Sequence, residues 1–261
     1  MKKWICMAVI LCMCAGIVSG CGTSPIEGDT SAVYVDKKGR ISSLDVEELG
    51  GSFYDEQELK TFIDDAVAEY TKEHGRNAVT VEALTVEDGV AKLTLSYQSA
   101  EDYTNFLGVE LFSGELLAAL EAGYVFEGDF ARVEEGQVVG AATKQEIYAE
   151  EGLKVVIIRA NTDVEIEGSI CYVSCENVRL DGANRVSIRD EYRLDNGAAQ
   201  TEDIPAVVVV EDTEEADGTE TVGEEAAETE DKEPDGMEDA GTDADLGLWD
   251  LSNTYTFIVY R

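Results

Sequence analysis

The chain has 261 residues, of which 44% are hydrophobic and 29% charged, with a formal net charge of −37. That apolar share supplies one sizeable core or two small ones, and excludes a chain disordered from end to end. A field of this sign repels nucleic acid and anionic lipid headgroups, and favours a protein, a neutral glycan, a basic peptide or loosely held divalent cations as partners.

Lys2 and Lys3 precede an almost uninterrupted apolar run from Trp4 to Val18, and the small residues Ser19 and Gly20 then stand before Cys21. A charged head, an apolar middle and a small-residue cut site make up a secretory signal. The run is shorter than the roughly 20 apolar residues of a membrane-crossing helix. Val18-Ser19-Gly20-Cys21 resembles the lipobox of bacterial lipoproteins. The resemblance implies cleavage before Cys21, a diacylglyceryl group on that cysteine, and a place on the extracytoplasmic face of a bacterial cell membrane. Two acyl chains anchor stably where one holds only marginally, at about 0.8 kcal/mol per buried methylene. Residues 1–20 are therefore expected to be the signal peptide. Residues 21–30, with Ser24, Pro25 and Gly28 and little apolar content, read as a flexible tether.

The body of the domain is expected over residues 31–210, as one unit or as two subdomains of about 31–125 and 126–210. Its first element is a hairpin, Ala32 to Val35 and Arg40 to Val46, turning through Asp36-Lys37-Lys38-Gly39. Similar turns recur at Val86-Glu87-Asp88-Gly89 and Val133-Glu134-Glu135-Gly136, where charged residues before a glycine suit a type I turn with a left-handed bulge position. Between the first two hairpins the spacing predicts a long amphipathic helix, Glu56 to His74, capped by Asp55 and Glu58 and stapled by Tyr54 onto Leu59. Leu59, Phe62, Ile63, Ala66, Val67 and Tyr70 form its apolar stripe, expected to face the core. Gly75 ends it, and the sole histidine, His74, sits where a cation complements the helix dipole.

Shorter helices are expected after Ser99, with Asp102 as capping partner, from Ser113 to Gly123, and after Thr143, where Glu146 completes a capping box. From Leu153 onward the pattern is strand: Lys154 to Arg159, Val164 to Ile166, Ile170 to Val173, Val178 to Leu180 and Val186 to Ile188. The expected fold class is α+β: a hairpin-rich antiparallel sheet, one long amphipathic helix, several short helices and a strand-dominated second half. Residues 211–247 are acidic with one lysine, Lys232, and read as a disordered insertion. Ile204 to Val210 before it and Thr254 to Tyr260 after it both have strand character, so residues 248–261 are expected to return to the domain.

Chemistry is sparse. With the signal removed and Cys21 acylated, only Cys171 and Cys175 remain, either as two small buried hydrophobes or, if the chain turns at Ser174, as a disulfide. No nucleophile elbow, Ser-x-x-Lys, His-Glu-x-x-His, phosphate loop or dinucleotide glycine cluster occurs, and one histidine leaves a serine or cysteine nucleophile without its usual base. Asp243 and Asp245 alternate as calcium ligands do but lack the rest of an EF-hand loop. No catalytic residue, metal site or cofactor is expected. The sequence thus points to a lipid-anchored, non-catalytic envelope protein engaging a protein or envelope partner. Its rivals are a solute-binding lipoprotein of a transporter and a carboxylate-dependent envelope hydrolase.

Overall fold

A computed structural model describes residues 26, 28–49, 56–197 and 251–261. In chain order it contains β1 (Ala32–Val35), β2 (Ile41–Glu48), α1 (Glu56–His74), β3 (Val79–Glu87), β4 (Val90–Tyr97), α2 (Ala100–Leu107), β5 (Leu111–Glu115) and α3 (Leu116–Glu121). Then follow β6 (Phe130–Glu134), β7 (Gln137–Ala142), α4 (Lys144–Ala149), β8 (Lys154–Ile158), β9 (Asp163–Ile166), β10 (Ile170–Ser174), β11 (Glu176–Leu180), β12 (Arg185–Arg193) and β13 (Thr256–Tyr260). Sheet 1 has the order β11-β12-β9-β1-β2-β4-β3 and sheet 2 the order β5-β8-β13-β10-β6-β7. All pairings are antiparallel except β1 with β9.

Alternation along the strands explains the layering. In β8, Val156 and Ile158 join one core with sheet 1, while Val155 and Ile157 join a second core on the other side. β13 repeats this with Ile258 and Tyr260 against Phe257 and Val259. A strand apolar on both faces belongs in a sheet covered on both sides. Sheet 2 is that layer, with sheet 1 on one face and Leu116 and Ala119 of α3, Ile147 of α4 and the Phe126 and Phe130 rings on the other. β4, by contrast, alternates: Ala91, Leu93, Leu95 and Tyr97 are buried and the residues between them only partly so.

The expected α+β class, with a long helix packing its apolar stripe onto one antiparallel sheet, is overturned. Strands take up 44% of the described residues and helices 22%, and the strands run from the first hairpin to the last element rather than crowding the second half. The two sheets bury each other, which leaves the helices little core to cover. α1 does form over Glu56–His74, but none of its residues is buried and Phe62 is 52% exposed. Leu59, Ile63, Ala66, Val67 and Tyr70 are only half-covered, where α1 lies over β3 at the rim of sheet 1. The capping residues Tyr54 and Asp55 lie outside the described residues, as does the segment from Ile204 to Asp245.

Other local expectations divide by how much long-range pairing they ignored. Ser99 caps α2 by accepting from the Asp102 amide, and Thr143 with Glu146 makes a reciprocal capping box on α4. Ser113, expected to open a helix, lies instead in β5, because Leu111 to Glu115 pairs residue by residue with Ile158 to Lys154; α3 starts only at Leu116. The Asp36–Gly39 turn has its single left-handed residue at Gly39, φ 79°, as a type I turn with a bulge requires. The other two turns are tighter. Asp88 and Gly89 have φ 52° and 80°, and Glu135 and Gly136 have φ 49° and 77°, the pattern of two-residue type I′ turns.

Each sheet draws strands from both halves of the chain: β1 lies beside β9 in sheet 1, and β5 lies beside β8 in sheet 2, where β13 sits between β8 and β10. The segment leading into β13 is held by β11 and β12: Asn177 Nδ2 lies within hydrogen-bond distance of Asp190, Ser252 and Thr254, and Ser252 donates to Asp190.

Two substitutions separate core from rim. Ile258→Ala, at a fully buried position of β13, should lower unfolding free energy by about 2–5 kcal/mol. Phe62→Ala should cost less than about 1 kcal/mol, since that ring is half in water already. Denaturant titration of both variants with the parent checks the pair; a large loss for Phe62→Ala would contradict the rim placement.

Candidate functional site

The inward face of sheet 1 carries an anomaly. Pairing places Ile41, Ser43, Asp45 and Glu47 of β2 opposite Tyr97, Leu95, Leu93 and Ala91 of β4. Three of the four β2 residues on a core-facing row are therefore polar. Leu44, the residue that apolar patterning would point inward, lies on the other face instead, close to Gly28.

Over this row lies a crevice of about 340 Å3, roofed by Leu59, Phe62, Ile63 and Ala66 of α1 and walled by Leu84, Ala91, Leu93, Leu95, Phe106 and Leu107. Its polar lining is three carboxylates, Asp45, Glu47 and Glu48. The two glutamates are exposed, whereas Asp45 is 3% exposed. The crevice is thus apolar in its walls and acidic both at its base and at its mouth.

Asp45 ends a short hydrogen-bonded chain. The Tyr97 hydroxyl lies 3.3 Å from Ser43 Oγ, which donates to Asp45 Oδ2 at 3.1 Å. With the serine proton committed to the carboxylate, the tyrosine donates to the serine oxygen. The second oxygen, Asp45 Oδ1, is buried without a hydrogen-bond partner. Burial pushes the Asp45 carboxyl up to about 7; the Ser43 hydrogen bond opposes this and the charge of Glu47 adds to it. Burial, with the charge of Asp45, raises the Tyr97 and Tyr103 hydroxyls well above their ordinary value. A carboxyl held half-protonated near neutrality, lining an apolar crevice and with one buried oxygen unpartnered, can accept a hydrogen bond, pair with a cation or exchange a proton.

The other polar clusters are structural. Asp163 is pushed up by burial, but hydrogen bonds from Arg185 and Ser187 and the nearby charge of Arg189 outweigh this and hold its carboxyl below the usual range. Arg185 lies 2.7 Å and Arg189 3.2 Å from its oxygens. Asp181 is held low by Arg179. His74 stacks on Tyr70 at 4.0 Å in the last turn of α1.

The residues singled out in the sequence do not meet at this crevice. Cys21, Asp243 and Asp245 lie outside the described residues. Cys171 and Cys175 are both free thiols. A register shift between Ile170 and Tyr172 turns Cys171 toward one core while Cys175 joins the other, so the disulfide that a turn at Ser174 would have allowed does not form. Burial raises both thiols, Cys175 to about 11, which leaves them unreactive near neutral pH. Among the described residues no group of three or more His, Cys, Asp or Glu side chains is placed to hold a metal ion. No helix of the described residues is long and apolar enough to cross a membrane.

Asp45 was missed at the sequence level because only the pairing of β2 with β4 shows which of its faces is inward. Compared with protein-family models, with curated proteins and with solved structures, the chain has no match in any of the three.

The Asp45 carboxyl gives the protein a signed pH dependence. Its folded value, about 7, lies above the unfolded one near 3.9. The folded state therefore holds the proton more tightly, and the stability this contributes is full below about pH 4 and lost as pH rises to about 7. At ~1.4 kcal/mol per unit the loss is about 4 kcal/mol. Asp45→Asn should lack it, so the variant should gain on the parent between pH 4 and 7 and hold that gain above. Urea unfolding at stepped pH checks this; parallel curves for the two proteins would show Asp45 to be solvated.

Proposed function

We propose that this is a lipid-anchored, non-catalytic protein on the extracytoplasmic face of a bacterial membrane, tethered through Cys21, which binds a partner in the crevice beneath α1. The anchor is supported by Lys2 and Lys3, the apolar run to Val18 and the Val18-Ser19-Gly20-Cys21 sequence. One observation carries the binding role: α1 roofs its crevice with a half-exposed apolar stripe that nothing in the described fold covers. Largely apolar crevices with a few convergent polar groups are the usual form of small-molecule sites. The net charge of −37 favours a neutral or cationic occupant.

The hydrolase reading has one observation in its favour, the raised carboxyl of Asp45 beside Glu47 in a groove. The lining weighs against it. A glycan needs many donors and acceptors along its groove, and this one is walled by leucine, alanine and phenylalanine. Release of reducing ends from purified cell-wall glycan by the parent, lost in both Asp45→Asn and Glu47→Gln, would favour hydrolysis over binding. The transporter-linked reading draws less support, because two sheets that interleave both halves of the chain do not make two lobes about a cleft.

Two outcomes test the anchor and the chain organisation. Cys21→Ala should abolish incorporation of radiolabelled palmitate and leave the protein uncleaved or released; unchanged labelling would overturn the anchor. Replacing residues 211–245 with a short Gly-Ser link should preserve the fold. Shortening that connection from about 40 residues to about 5 removes three doublings of loop length, near 2 kcal/mol of closure cost, so the melting temperature should rise slightly. A cooperative transition lost on this replacement would show that the acidic run is part of the folded unit.

A further inference from the structure

We propose that the crevice between α1 and sheet 1 binds a small amphiphilic amine, its hydrocarbon body against Leu59, Phe62, Ile63 and Phe106 and its ammonium group against the carboxylate of Asp45. The proposal rests on reading the crevice as the binding site, and does not depend on the lipid anchor. A volume of about 340 Å3 suits a small molecule rather than a protein surface. The walls call for an apolar body. The head is chosen by charge and by hydrogen-bonding count.

Asp45, Glu47 and Glu48 repel a carboxylate or phosphate head, which rules out fatty acids and phospholipids. Asp45 Oδ1 is a buried acceptor without a partner, and leaving such a group unmatched costs about 1–3 kcal/mol. An ammonium has three donors and no acceptor, so it satisfies Oδ1 and presents further donors toward Glu47. An uncharged alcohol would satisfy the oxygen without gaining the ion pair. The depth of Asp45, below a mouth carrying two glutamates, selects a slender head over a planar guanidinium. The length of apolar wall favours a free amine over a lysine side chain, whose four methylenes end in a polar backbone.

Binding is linked to the proton on Asp45. The titratable groups facing it are Glu47 and Glu48 of β2, Tyr97 of β4 and Tyr103 of α2, while α1 contributes Leu59, Phe62, Ile63 and Ala66 to the crevice. Both tyrosines stay neutral across the range of interest, and an alkyl amine with a lysine-like value near 10.4 stays charged. Ammonium binding therefore draws the proton off Asp45 alone, and affinity should climb with pH until that carboxyl is ionised.

Calorimetric titration of the full-length mature chain with n-octylamine, n-octanol, octanoate and Nα-acetyl-lysine methylamide, each below its micellar concentration, tests the proposal. Octylamine should bind at least tenfold more tightly than the other three. Its affinity should rise about tenfold from pH 6 to pH 8, and Asp45→Asn should lose most of the affinity and all of that pH dependence. Ile63→Trp, which fills the crevice from the α1 side while leaving Asp45 in place, should block binding with the fold intact by circular dichroism. Equal binding of octanol or of the lysine derivative, retention of affinity in Asp45→Asn, or no heat with any probe would each overturn the assignment. A null result with all probes would leave palmitate labelling at Cys21, and so the anchored reading, untouched.

Discussion

Everything in this fold follows from a sheet that is apolar on both faces. β8 and β13 present Val156, Ile158 and Ile258 to one side and Val155, Ile157, Phe257 and Val259 to the other. At about 25 cal/mol per Å2 of apolar area buried, neither face tolerates water. One is met by the inner face of sheet 1. The other is met by short helices and an aromatic cluster in which Phe126 lies 4.5 Å from Phe257 and 5.8 Å from Phe130 between ring centroids. α3 and α4 are short because they need only cover a patch of sheet 2, and α1 is peripheral, with only partly buried residues packed against the core.

The same requirement makes Asp45 conspicuous. On a face whose other strands supply Val33, Val35, Leu93, Leu95, Val164 and Ile166, a carboxyl with one unmatched oxygen works against stability at neutral pH. An apolar side chain at that position would serve the core better. Local conflicts of this kind, where one residue breaks the pattern its neighbours obey, tend to mark the places where a protein does something besides fold. The Tyr97–Ser43 chain holds Asp45 Oδ2, which leaves Oδ1 as the one oxygen of this buried carboxyl without a protein partner.

What could be read from the sequence was what depends on near neighbours. Thr143 and Glu146, Ser99 and Asp102, and the Asp36–Gly39 turn act within four residues, and such signals survive whatever the tertiary fold. β8 and β13 were legible because a continuous β-branched run has few places to go. The stripe of α1 was equally clear as a pattern, but a pattern states only that a face prefers an apolar neighbour, not that the fold supplies enough of one. Ser113 failed for the complementary reason: a cap-like residue was overruled by five consecutive pairings with β8. The register of β2, and with it the crevice, depends on contacts between segments some 50 residues apart, as Ser43 and Tyr97 illustrate. The register shift between Ile170 and Tyr172, which parts Cys171 from Cys175, is equally beyond local signals, since one extra residue sends every later side chain to the opposite face.

The position of β13 couples the two cores. The strand formed by Thr256 to Tyr260, more than 60 residues along the chain from β12, sits between β8 and β10 in the interior of sheet 2. Without it β8 and β10 have no partner on their facing edges, one core loses Ile258 and Tyr260, and the other loses Phe257 and Val259. One five-residue segment therefore closes both layers together, and local opening at β13 would expose apolar surface on the two sides of sheet 2 at once.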